Sequence, residues 1–188
     1  MYIIDGNSNR MVLDQIGFSN ILDVCFKCAD YFTLSRSEWR NGIDKSLEEE
    51  LEPYFVKTFK TPIWYGYDYT KAPEGCYREI SVLLYKADEM AKEILLRLFT
   101  NIFLKEYDAI DPSIDEITID LRDCTKRQEV LPSLENICFF SKQKMFAGTV
   151  SHEYMLGIVP ITRALENIVT ESDRWEVVDD CIIQLDKT

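Results

Sequence analysis

The residues with the greatest capacity for chemistry are few. Cys25 and Cys28 form a C-x-x-C pair within Val24-Cys25-Phe26-Lys27-Cys28-Ala29, and His152 is the single histidine of the chain. A redox C-x-x-C works where a strand meets a helix N-terminus, because the helix dipole stabilises the attacking thiolate. This pair instead sits inside a segment of helical periodicity among apolar neighbours, so packing is the stronger reading. A zinc site needs a second pair of ligands at suitable spacing. The remaining cysteines stand singly and one histidine cannot complete the set. His152 lies between Ser151 and Glu153 and could serve as a general base. A hairpin would bring Cys138 towards it as a cysteine–histidine pair. Catalysis of that kind also needs an oxyanion donor in the same cleft. No nucleophile elbow or phosphate-cradling loop accompanies the pair, and the seven glycines stand alone. The residues therefore point to no catalytic set, no metal and no cofactor. A small hydrolase or transferase using His152 is the alternative, and a structural or adaptor protein is a third.

Carboxylates are the more informative group. There are 33 acidic residues against 21 basic ones, a formal charge of −12. Glu106, Asp108, Asp111, Asp115, Glu116 and Asp120 follow one another with no lysine or arginine between them. Glu166, Glu171, Asp173, Glu176, Asp179, Asp180 and Asp186 face only Arg174 and Lys187. Such a surface repels nucleic acid and anionic membranes, and it attracts cationic partners within a Debye length of about 8 Å. Carboxylates on a strand and its entry loop imitate phosphates towards a basic cleft, and they chiefly raise association rate and specificity. The competing reading is a solvated face that serves solubility. The D-x-D-x-D-G calcium loop is absent.

Aromatics are the second resource for binding. Trp64, Tyr65, Tyr67, Tyr69 and Tyr77 crowd one turn-rich segment. Exposed, they would anchor an interface; buried, they would edge the core. The expected partner surface is Asp108, Asp111, Asp115, Glu116, Asp120, Asp173, Glu176, Asp179 and Asp180, with Trp64 and Tyr67 beside it. The expected partner is a basic protein, not nucleic acid or membrane.

These residues need a frame. A chain of 188 residues with 46% apolar and 12% aromatic content reads as one folded domain, 1–188. The N-terminus lacks a signal-peptide pattern, and no run approaches the roughly 18 apolar residues of a membrane span. Six cysteines fall below the density of a disulfide scaffold, so reduced thiols and a cytoplasmic setting are expected. Apolar spacing predicts helices over 11–30, 45–52, 87–105 and 161–170, the last opened by Pro160 and the second preceded by Ser37 as an N-cap candidate. Alternation predicts strands over 31–34, 54–59, 79–85, 116–121 and 154–159, with a weak one in 175–185. The runs 136–140 and 145–150 flank Ser141-Lys142-Gln143-Lys144 and predict a β-hairpin. Strands and helices without regular βαβ alternation argue for an α+β fold: a mainly antiparallel sheet of five to seven strands with three or four helices against it.

The segment 135–154, ENICFFSKQKMFAGTVSHEY, resembles a hairpin found in small bacterial proteins. Their pattern is acid-(Asn/Asp)-apolar-x-Phe-(Phe/Tyr), a short polar turn, then aromatic-x-(Gly/Ala)-(Ser/Thr)-apolar-(Ser/Thr)-His-Glu. The stretch 30–35, DYFTLS, is similar to their N-terminal part. Some of those proteins look like immunity proteins of interbacterial toxin systems. Here the turn carries Lys142-Gln143-Lys144 where related hairpins tend to have Asn-Gly, and 106–132 has no counterpart. The resemblance implies a cytoplasmic antidote for a toxin domain. It agrees with the charge, because many such toxins are basic nucleases.

Overall fold

The structure is a computed structural model, and it describes residues 1–5, 18–36, 46–64, 67–71, 73–75, 79–98, 134–150, 155–171, 173 and 175–178. The chain runs β1 (Tyr2–Asp5), α1 (Phe18–Cys28), β2 (Tyr31–Arg36), α2 (Ser46–Leu51), β3 (Phe55–Thr61), β4 (Ile63–Trp64) and β5 (Tyr67–Asp68). It continues through β6 (Ile80–Lys86), α3 (Glu89–Leu98), β7 (Leu134–Ser141), β8 (Lys144–Val150), β9 (Met155–Ile158), α4 (Arg163–Thr170) and β10 (Glu176–Val177). Among the described residues, eight strands form one antiparallel sheet in the order β10-β1-β9-β8-β7-β2-β6-β3, and β4 pairs with β5 apart from it.

The α+β class and the helices agree with the sequence reading. The strand number does not: the sheet has eight strands where five to seven were expected. The additional member is β1. Its four residues are too few for a period to show, and it exists through distant pairing, Tyr2 opposite Ile158 on one side and Val177 on the other. Helix α1 ends at Cys28 and α3 begins at Glu89, so 29–30 and 87–88 are connections and not helix; Ser37, 11–17, 99–105, the 106–115 loop and the 116–121 strand lie outside the described residues.

Period-two alternation turns Phe32 and Leu34, Leu83 and Tyr85, and Ile137 and Phe139 to one face of the sheet. There they meet the apolar stripes of the four described helices: Ile21, Leu22, Cys25 and Phe26; Leu47 and Leu51; Ala91 and Leu95; Leu165, Ile168 and Val169. At the centre, Phe32 stacks on Tyr85 with centroids 5.2 Å apart, and Phe26 lies 5.3 Å from both Phe32 and Phe139. One aromatic group thus ties α1 to β2, β6 and β7. The other face is also buried at its middle, where Leu84, Cys138, Phe140 and Met145 gather. That double burial is why NICFF reads as a nearly unbroken apolar run.

Charged groups brace the helix layer. Lys92 of α3 is only 7% exposed, and its Nζ donates to Asp23 Oδ1 of α1 at 2.6 Å and to Glu89. The hydrogen bond from Lys92 holds the Asp23 carboxyl below its usual range, and the same bond, with that to Glu89, raises Lys92. Arg36 forks onto Glu48 at 3.1 and 2.5 Å, joining the end of β2 to α2, and Arg97 forks onto Glu50 to join α3 to α2. Helix α4 starts at Arg163, not at 161. Thr162 is its N-cap and accepts the Leu165 N–H at 3.4 Å, so Pro160 only leads into the helix. Pro53 extends α2 by a single 3₁₀ turn, Glu52–Tyr54. The outermost strand β3 carries Lys57 and Lys60 and a bulge between Phe55 and Lys57, features that discourage edge-to-edge pairing.

The 134–150 hairpin is formed as expected but turns unusually. Lys142 and Gln143 have φ of 48° and 69°. Two successive positive φ angles make a type I′ geometry, which favours Asn-Gly. Each L-residue held there costs about 1–2 kcal/mol.

Candidate functional site

Most of the carboxylates singled out from the sequence lie beyond the described residues: Asp108, Asp111, Asp115, Glu116, Asp120, Asp179 and Asp180, as does His152. Asp173 and Glu176 are described, and both are exposed. They follow α4, whose Glu166 and the succeeding Glu171 are exposed too. Glu176 opens β10 at one edge of the sheet, opposite Ile3 of β1. This part of the C-terminal acidic stretch is therefore a solvent-facing rim. Trp64 and Tyr67 are brought opposite each other in the β4–β5 ladder, and their side chains lie outside the described ones.

The three described cysteines, Cys25, Cys28 and Cys138, are packing residues in their geometry. Cys25 is fully buried, and burial pushes its thiol up. It sits near the C-terminal end of α1, where the dipole disfavours a thiolate. Cys28 approaches Thr162 Oγ1 at 3.8 Å, a contact between α1 and the cap of α4. Cys138 stands opposite Gly148 and is buried in the second cluster. Desolvation raises its thiol to about 12, against a lesser lowering by a Thr33 hydrogen bond. A thiol so placed is protonated at neutral pH and is a poor nucleophile. Among the described residues no three metal-ligating side chains gather. No described helix is long and apolar enough to cross a membrane.

One concavity was not foreseen. At one end of the sheet α1 hands over to β2, β6 hands over to α3, and β7 turns into β8. An open cleft of about 700 Å³ lies between these connections, lined by Asp30, Tyr31, Lys86, Lys142 and Gln143 among others. Asp30 holds it together. Its N–H donates to the Phe140 carbonyl at 2.9 Å, and its carbonyl accepts the Ala87 N–H at 3.0 Å. Its Oδ2 accepts the Lys142 N–H at 2.7 Å. Asp30 and Lys142 are 112 positions apart in the chain, so no local pattern joins them.

Comparison with known proteins finds no matching family model, no matching curated protein and no matching solved structure.

Proposed function

We propose that this chain is a cytoplasmic immunity protein that binds and neutralises a cognate, basic toxin domain, a nuclease among the candidates, through an acidic surface. The observation that carries the reading is the charge of −12. Within it, the exposed Glu166, Glu171, Asp173 and Glu176 line the α4–β10 rim. The hairpin resemblance supplies the protein class, and the charge supplies the sign of the partner. Complementary charge would steer the encounter and raise the association rate by about 10- to 1,000-fold. Desolvated aromatic anchors, with Trp64 and Tyr67 as candidates, would then slow dissociation. In this reading the protein is a stoichiometric inhibitor and uses neither cofactor nor catalytic residue.

The test is protection. The chain is co-expressed with candidate basic toxin domains, including one from a neighbouring gene where that gene encodes a secreted effector. Rescue of growth and a one-to-one complex support the reading. A toxin that kills equally with and without the chain defeats it.

A further inference from the structure

We infer that the cleft between the β7–β8 turn and the connections at Asp30 and Ala87 is a binding site for an anionic group, a carboxylate or phosphate carried on a larger ligand. Its cations are available. In a chain this acidic, Arg36, Lys92 and Arg97 are each engaged with carboxylates. Lys86 and Lys142 are exposed, both line the cleft, and neither is in an ion pair among the described residues. Asp30, the acidic residue of the lining, directs Oδ2 to the backbone of Lys142. Half-buried Tyr31 supplies an aromatic wall. The volume, about 700 Å³, lies in the range of small-ligand clefts, roughly 300–1,000 Å³, and exceeds what a bare ion fills.

The backbone fixes where the two lysines stand. Lys142 and Gln143 both occupy the left-handed region, although glycine and asparagine are the residues that relieve such a turn. A two-residue hairpin turn takes these angles to match the twist of its strands, and the surroundings hold it in place. Here the surroundings are the three backbone and side-chain bonds of Asp30, which fix all three connections to one another. Lys86 and Lys142 are thus carried on a pre-organised frame, which lowers the ordering cost of binding. The site is separate from the acidic rim. Strand β7 stands four positions from β10, roughly 19 Å at the usual strand spacing. The inference does not depend on the immunity reading.

The experiment uses the full-length ¹⁵N-labelled protein. It is titrated with inorganic pyrophosphate and, separately, with a hexaglutamate peptide, each against sodium chloride of matched ionic strength. Saturable shifts of the Lys142 and Gln143 amides are expected with at least one probe, and the probe that saturates identifies phosphate or carboxylate as the group held. The variant K86A/K142A, changed only at exposed positions, should keep its thermal midpoint and lose affinity by about tenfold or more. The inference is overturned by any of three results: no saturable shift at about 10 mM of either probe, equal shifts with sodium chloride, or undiminished binding in K86A/K142A.

Discussion

Replacing Lys142 by Asn and Gln143 by Gly should stabilise the protein. The native turn holds two L-residues at φ of 48° and 69°, at about 1–2 kcal/mol each. Asparagine tolerates the first position and glycine the second. Glycine returns about 0.5–1 kcal/mol to the unfolded chain as entropy. The remaining gain is about 1–3 kcal/mol. The bond to Asp30 is not lost, because it is made by the backbone N–H of residue 142. Urea unfolding followed by tryptophan fluorescence reads the effect as a higher midpoint at unchanged slope. In a chain of this length each kcal/mol raises the thermal midpoint by roughly 2–4 °C. An unchanged or lower midpoint would refute the claim that the turn is strained. Anion binding should weaken in the same variant, since it removes the Lys142 ammonium.

Phe32→Ala removes the ring shared by Phe26, Tyr85 and Phe139, and should cost about 3–5 kcal/mol by urea unfolding; a loss under about 1.5 kcal/mol would mean that the aromatic group is not the centre of the core. The Asp23–Lys92 clamp has a defined pH signature. Asp23 is depressed below 3.8, so its contribution is present above that value and fades as pH falls through the lowered one. Lys92 is raised above 10.5, so its contribution is present below that value and is lost only as pH rises through the raised one. Unfolding midpoints measured from acid to alkaline pH should show the Asp23→Asn variant converging on wild type at the acid end; a constant difference would contradict the assignment. Cys25 and Cys138 should resist a thiol reagent at pH 8 in the native protein and react once it is unfolded, because burial raises both thiols; rapid labelling of either in the native state would overturn their placement.

How far the sequence is legible depends on whether a signal is local. The hairpin of β7 and β8 shows in its apolar runs and polar turn, and β6 and α3 show in their periods. Cys25 is core because its spacing from Ile21, Leu22 and Phe26 lines one face of α1. Strand β1 is hidden, because YIID becomes a strand only against β9 and β10. The cleft is hidden for the same reason: Asp30, Lys86 and Lys142 are ordinary surface residues until three connections converge on them. The strain at Lys142 and Gln143 is invisible too, since neither residue type announces a left-handed turn. Of the acidic surface, total charge is plain in the composition. Its arrangement depends on distant pairing, which places Glu176 at the sheet edge and leaves Asp173 exposed.

The central claim is that charge drives association with a basic toxin domain. Its most direct test is the stopped-flow association rate between the purified chain and the toxin domain that co-expression shows it to neutralise, from about 50 to about 500 mM sodium chloride. The wild type is compared with D173K/E176K/D179K/D180K. The wild-type rate should fall steeply with salt, and the variant should be at least about tenfold slower at the low-salt end. A rate indifferent to both salt and charge reversal would contradict it.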